Sequence, residues 1–294
     1  MATETLTDVF EEHRPLLAAV AYRMLGRAAD AEDVVQDAWL RWTARDRADV
    51  GEPRGYLVRV TTRLAIDRLR QIRSRNESYI GPWLPDPVAT DIGHTTPDVT
   101  ERAVLAESVS FAVLVVLESL SPAERAVFVL REAFGFPYRE IAAALERSEA
   151  AVRQLAGRAR RHVDERKPRY DVDPAECRDL TERFLAAASG GDLRALLALL
   201  APDARLVGDS GGKAKAPLRT LWSADKVGRF VIAVAKEAVP DAEYRFLEVN
   251  GAPALLVLSG GKPDTVVQLE IADGRVQCVY VMRNPDKLSG VTFM

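Results

Sequence analysis

"REIAAALERSEAAVRQLAGRARR", Arg139–Arg161, is the stretch on which the fold turns. It holds two apolar patterns of helical period, split by the polar residues Glu146, Arg147 and Ser148. Tyr138, Ile141, Ala142 and Leu145 share one face of the first helix. Ser148 is placed to cap the second helix, whose inner side is Val152, Leu155, Ala156 and Ala159. Glu149, Arg153, Gln154 and Arg158 are left outward. This is helix-turn-helix spacing. Arg and Gln near the start of such a helix can pair with guanine and adenine edges, and the later Arg160 and Arg161 suit phosphates. A plain helical hairpin fits the same pattern. Glu146 stands where the turn usually holds Gly, and Gly157 weakens the second helix by ~1 kcal/mol.

The charge distribution adds a second observation. Net charge is −3, but residues 1–51 hold ten acidic side chains against six arginines. Residues 52–76 then hold seven arginines against Glu52 and Asp67, and residues 147–169 hold eight Arg or Lys against three acids. One such block reads equally as a solvated helix face; two in succession point to an anionic partner. A helix over Arg54–Arg73 buries Leu57, Val60, Leu64, Ala65, Leu69 and Ile72. It carries Arg59, Arg63, Arg70 and Arg73 within a sector of roughly 80° opposite that face. Such a stripe can follow a phosphate backbone and admit single-stranded bases.

The rest of the chain sets the organisation. Residues 30–45 form a helix with Asp30 as N-cap, and Ser121-Pro122-Ala123-Glu124 is a capping-box helix start. Helices resume from Val99 and continue to Arg166. Residues 76–104, rich in Pro and Gly and carrying Trp83-Leu84-Pro85, form a linker, and residues 167–174 form a second. Beyond it the apolar period changes to two. One helix over Pro174–Leu200 and another over Ala224–Glu237 precede strands joined by Asn250-Gly251, Ser259–Lys262 and Asp273-Gly274, an antiparallel meander in an α+β domain. Cys177 and Cys278 are too few and too far apart for a zinc ribbon or a disulfide framework. The N-terminal residues have no signal pattern, and no apolar run approaches the length of a membrane span, so a cytoplasmic location without membrane contact is expected.

These parts, in this order, resemble a family. "DAEDVVQDAWLRW", "PRGYLVRVTTRLAIDRLRQIRSR" and "LSPAERAVFVLREAFGFPYREIAAALERSEAAVRQLAGRARR" are similar to regions 2.2, 2.3–2.4 and 4.1–4.2 of extracytoplasmic-function (ECF) RNA polymerase sigma factors. "YIGPWLPDP", "GDSGG" and "NPDKL" resemble the SigJ-type subgroup, which carries a C-terminal SnoaL-like (NTF2-like) domain. The resemblance implies a multidomain chain: an all-α region 2 bundle over residues 1–75, an all-α region 4 helix-turn-helix domain over 105–166, and an α+β cone over 175–294.

The resemblance also implies the partners and the site residues. Core RNA polymerase would dock on Asp30, Glu32, Asp33, Gln36, Asp37 and Trp39. The promoter −10 element would meet Arg59, Arg63, Asp67 and Arg70, although Arg63 stands where family members often carry Asn. The −35 element would meet Ser148, Glu149, Arg153, Gln154 and Arg158. Trp83, Leu84, Pro85 and Asn284, Pro285, Asp286, Lys287, Leu288 are the expected interdomain docking elements. Asp209 and Tyr244 are candidate pocket groups for a small apolar ligand in the cone, and both suit ordinary turn or surface positions. No cofactor or metal is implied, and the free chain is expected to be a monomer. The competing reading is a cyclase or isomerase carried on a DNA-binding module. Its relatives use His or a carboxylate for acid–base work, and residues 171–294 contain no His.

Overall fold

A computed structural model describes residues 5–44, 51–76, 79–89, 111–165, 174–237, 239, 241–288 and 291. The expected helix start at Val99 and the linker at 167–173 lie outside the described residues. Two compact units are present: residues 5–76 with 111–165, and residues 79–89 with 174–291. The segment expected to be a linker with a docking element at Trp83-Leu84-Pro85 is divided, and that element belongs to the second unit.

In the first unit, α1 (Leu6–Leu25) starts on a reciprocal Thr5–Asp8 capping box and ends on Gly26 at φ 66°. The next helix, α2 (Ala28–Thr43), begins earlier than its sequence suggests: Arg27 is its N-cap, with no side-chain cap bond, and Asp30 lies inside the first turn. Asp30 is spent instead on Arg68 of α3 (Pro53–Asn76), whose Nε donates to it at 2.8 Å. Trp42 Nε1 donates to Leu6 O at 2.8 Å and ties the end of α2 to the start of α1. After these come α4 (Phe111–Leu117) and α5 (Pro122–Phe128), the latter on the expected Ser121–Glu124 capping box. A π-helical turn, Val129–Ala133, leads on to α6 (Tyr138–Leu145) and α7 (Glu149–Asp164). Glu146 takes the left-handed conformation at φ 53°, which glycine usually fills, and Ser148 Oγ accepts from Ala151 N at 3.2 Å.

The α3 helix is covered on two sides. Leu57, Leu64, Ala65, Leu69 and Ile72 form the expected inner face, but Val58, Thr62 and Ile66 are buried as well. The second cover is the α5 and α6 side of region 4, so regions 2 and 4 pack together within one unit.

The second unit is α+β, with helices packed on a sheet. Its elements are α8 (Pro174–Ser189), α9 (Leu193–Leu199), β1 (Leu200–Asp209), β2 (Leu221–Trp222), α10 (Ala224–Ala235), β3 (Ala242–Val249), β4 (Ala252–Ser259), β5 (Lys262–Ala272), β6 (Arg275–Met282) and α11 (Pro285–Leu288). The single helix expected over Pro174–Leu200 is two, broken at Gly190-Gly191, with Asp192 capping the second through Ala195 N at 2.9 Å. The sheet order is β2-β1-β6-β5-β4-β3. Strands β3 to β6 form the expected antiparallel meander, with Asn250-Gly251 and Asp273-Gly274 at positive φ in its turns. The sheet as a whole is mixed, however, because β1 runs parallel to β6. Leu180, Phe184, Leu196, Leu206, Val227, Leu269 and Val279 form the core between the helices and one face of the sheet.

Candidate nucleic-acid interface

The helix-turn-helix presents the face the sequence describes. Val152, Leu155, Ala156 and Ala159 are buried, while Arg153, Gln154 and Arg158 point to solvent. Ser148 is occupied as the cap. Arg153 pairs with Glu149 at 2.7 Å, one turn back, and lies 5.2 Å from the Tyr138 ring centre. Arg158 pairs with Glu124 of α5 at 2.9 Å. The Ser121 hydroxyl, and then Arg158, hold the Glu124 carboxyl below its ordinary pKa. Arg160 is engaged by Glu132 at 2.8 Å and by the Tyr138 hydroxyl at 3.2 Å. Exposed ion pairs of this kind are worth under about 1 kcal/mol, so these arginines are held in place but remain exchangeable for phosphates or base edges.

The stripe on α3 departs from expectation. Arg63, assigned to −10 DNA, turns into region 4. Its Nε donates to Ala144 O at 2.9 Å and its Nη2 lies 2.8 Å from Glu146 Oε1, so it caps the C-terminus of α6. Arg73 does the same at the end of α4, donating to Glu118 O at 3.2 Å and to Leu120 O. Burial lowers the pKa of Arg73, and Glu118 works against that shift. Arg59 is half-buried beside the Tyr56 ring, at 5.4 Å. Only Asp67 and Arg70 remain on the open surface, paired with each other at 3.1 Å.

Sequence reasoning missed the arginines inside this seam. Arg125 of α5 is wholly buried, with its Nε donating to Arg23 O at 3.2 Å and its Nη1 paired with Glu118. Arg23 of α1 is buried too, 4.5 Å from the Phe134 ring centre, and burial pulls its pKa down to about 10. Val58, Thr62 and Ile66, spaced four apart beside the stripe, were the available signal that α3 has a second buried side.

The acidic face of α2 is partly engaged by its own unit. Asp30 is half-buried against Arg68, Asp33 reaches the same guanidinium at 3.1 Å, and Glu32 pairs with Arg14 at 2.6 Å. Gln36, Asp37 and Leu40 are exposed, and Trp39 packs edge-on against Phe10 at 5.0 Å. A shallow groove of about 320 Å³ runs between Phe10, Glu32, Gln36 and Trp39. Exposed acid and apolar groups side by side suit a basic partner surface with an apolar centre.

Asp209 and Tyr244 do not share a pocket. They lie on β1 and β3, with three strands between them, and Tyr244 is exposed. Asp209 is wholly buried at the centre of a polar cluster. It accepts from Tyr79 Oη at 2.5 Å, Leu84 N at 2.8 Å, Gly211 N at 3.2 Å and Lys287 Nζ at 2.7 Å. Lys287 also donates to Leu84 O and lies 4.1 Å from the Trp83 ring centre. Asn284 donates to Tyr79 Oη at 2.9 Å and accepts from Asp286 N, while Asp286 itself pairs with Lys213. Three motifs distant in sequence thus build one dock for the tether. Pro85 and Leu288 are buried beside it, and Pro285 is exposed. Gly211 is required here: a Cβ on it would lie 2.6 Å from Asn284 Nδ2. Further along, Val88 and Asn250 exchange hydrogen bonds, and Ala89 bridges to Val249. Among the described residues no group of three or more His, Cys, Asp or Glu is placed to hold a metal ion, and no helix is long and apolar enough to cross a membrane.

Comparison with known proteins agrees with this layout. Residues 9–75 match the family description Sigma-70 region 2, and residues 110–163 match Sigma-70, region 4. The ECF RNA polymerase sigma factor SigJ of Mycobacterium tuberculosis (strain ATCC 25618 / H37Rv) is 40% identical over 294 residues, covering 96% of this chain and 92% of that protein. The crystal structure of M. tuberculosis SigJ aligns with a TM-score of 0.77 at 36% identity, covering 96% of this chain and 97% of that one. The chain belongs to the ECF RNA polymerase sigma factors: it is a non-enzymatic subunit that directs core polymerase to promoters through DNA-binding regions 2 and 4.

Proposed function

We propose that Arg153, Gln154 and Arg158, with Glu149 and the Ser148 cap, read the promoter −35 element, and that Arg59, Arg63, Asp67 and Arg70 serve the −10 element. The observation that carries the first assignment is the outward face of α7, which holds Arg153 and Gln154 in solvent over a buried apolar side. Phosphate contacts from the same helix set register, and edge contacts choose sequence. Core polymerase docks on Glu32, Asp33, Gln36, Asp37 and Trp39, supported by the exposed acids beside the Phe10–Trp39 groove. Asp30 acts in this reading by holding Arg68 and α3 in place.

The C-terminal unit controls this activity through the tether. Residues 77–110 connect regions 2 and 4, and residues 79–89 of that connection are docked on the Asp209–Lys287 cluster. Docking shortens the chain free to span the two promoter elements, and release lengthens it. A small apolar ligand in this unit acts only if it binds one of these arrangements better than the other. The free chain is taken as a cytoplasmic monomer.

Size-exclusion co-migration with core polymerase and run-off transcription from a promoter pool test the reading. Arg153→Ala is expected to cost about 1–3 kcal/mol at a single −35 base pair and to relax selection there. An unaltered −35 preference in the Arg153→Ala holoenzyme would remove Arg153 from the interface.

A further inference from the structure

Tyr244, which shares no pocket with Asp209, stands on the long edge of the sheet. Strands β2 and β3 are the two edges, and β2 has only two residues. β3 has eight, and Glu243, Tyr244, Arg245 and Phe246 are all exposed on it. Tyr244 and Phe246 pair on β4 with Val257 and Leu255, and Leu255 pairs in turn with Val267 of the core side. The two aromatic rings thus prolong the apolar, helix-side face of the sheet into solvent, at 64% and 46% exposure.

The backbone fixes which residues can accept a further strand. Val249 and Ala252 close a two-residue hairpin, so Val249, Leu247, Arg245 and Glu243 turn their N–H and C=O groups to β4. Phe246, Tyr244 and Ala242 turn theirs outward. Asn250, of the same parity, donates outward to Val88 O at 2.9 Å, beside the antiparallel bridge of Ala89 with Val249. The tether takes the edge at that end, and among the described residues no strand lies against Ala242–Phe246.

We propose that Ala242–Phe246 is the contact through which two copies of this chain associate: β3 pairs antiparallel with the partner's β3 about a two-fold axis at Tyr244, and the two sheets become one. The monomer taken above is the dilute form. The inference goes beyond the promoter reading and stands on the second unit alone.

An axis at Tyr244 uses all three outward residues. Tyr244 meets the partner's Tyr244 in a hydrogen-bonded pair, and Ala242 meets the partner's Phe246, twice by symmetry. Between them Glu243 faces the partner's Arg245, also twice, in the close non-hydrogen-bonded pairs. Edge strands commonly carry charges that repel another strand. Glu243 and Arg245 are of opposite sign, two residues apart and 2.9 Å from each other, so in this register they attract their copies. On the other face the Tyr244 and Phe246 rings of both copies come together and leave water. An axis at Phe246 would instead set the partner strand against Val249, where Ala89 already lies. Asp241, at φ 48°, bends the chain just before Ala242 and ends the partner's strand short of the tether.

Sedimentation velocity of the full chain over a concentration series should show monomer passing to dimer. Arg245→Glu sets four carboxylates at the join and Glu243→Arg sets four guanidiniums, and each should weaken dimerisation about tenfold. Mixed in equal amounts, the two variants regain both opposite-charge pairs, and a dimer of wild-type strength should return. That recovery separates strand pairing from loss of folding. With Cys177→Ser, and with Cys278 buried, Tyr244→Cys places its Cα about 5.5 Å from its copy and should cross-link on mild oxidation. Glu248→Cys, exposed on the same strand but roughly 27 Å from its copy in this register, should not. The proposal is overturned by a chain that stays monomeric throughout the series, or by a dimer indifferent to both charge changes. A mixture no stronger than either variant alone overturns it too, as does Glu248→Cys cross-linking as readily as Tyr244→Cys.

Discussion

Lys287→Met tests how firmly the C-terminal unit holds the tether. Lys287 and Asp209 form an ion pair at 2.7 Å with side-chain exposures of 6% and 0%. Removing one partner of a buried pair strands the other charge, at a usual cost of about 3–5 kcal/mol. Asp209 keeps its bonds from Tyr79 Oη, Leu84 N and Gly211 N, so the lower end, about 3 kcal/mol, is expected. At 1.4 kcal/mol per factor of ten, that is a rise of about 150-fold in the population with the tether released. Limited proteolysis within residues 79–89 reads this population directly, and the emission of Trp83, which lies against Lys287, reads it optically. Asp209→Asn combined with Lys287→Met should cost less than the two single changes added together, because the stranded charge is gone. If cleavage of the tether in Lys287→Met proceeds at the wild-type rate, the cluster does not hold it.

Other outcomes follow from the same contacts. Ser121→Ala removes the capping box of α5 and should cost about 1 kcal/mol in thermal unfolding of the helical unit. Because the Ser121 hydroxyl lowers the folded-state pKa of Glu124, that group's contribution is present above its ordinary unfolded pKa and fades as pH falls through the lowered one. The acid limb of a stability–pH curve should therefore be shallower in Ser121→Ala. Burial pushes the Cys278 thiol up to about 12, so at pH 8 pulsed alkylation of the native chain should label Cys177 well before Cys278, with both labelled on unfolding. Since the folded thiol keeps its proton where the unfolded one loses it, the Cys278 contribution to stability is full below the ordinary thiol pKa and declines as pH rises toward about 12.

The helix-turn-helix was legible because everything that sets it is local: apolar spacing at Val152, Leu155, Ala156 and Ala159, a serine cap, and a short turn. The meander was legible for the same reason, through Asn250-Gly251 and Asp273-Gly274. Strand β1 was not. Pro202 and Asp203 interrupt its apolar alternation, and its partner β6 lies some seventy residues later, with a register shift between Leu200 and Arg205. Nor could periodicity show where Arg63 goes. A helix wheel separates polar from apolar, and a guanidinium that caps another helix looks on that wheel like one in water. Asp209 was misjudged in the same way: "GDSGG" reads as a turn, and its buried charge becomes visible only beside Lys287 and the tether.

The most direct measurement of the central claim is selection of transcribed templates from a randomised promoter library by core polymerase carrying this chain. The expected result is two short sequence blocks at a constant separation, with Arg153→Ala blurring one position of the upstream block and leaving the downstream block intact. Transcripts whose templates share no pair of blocks, or a yield no greater than that of core polymerase alone, would contradict the account.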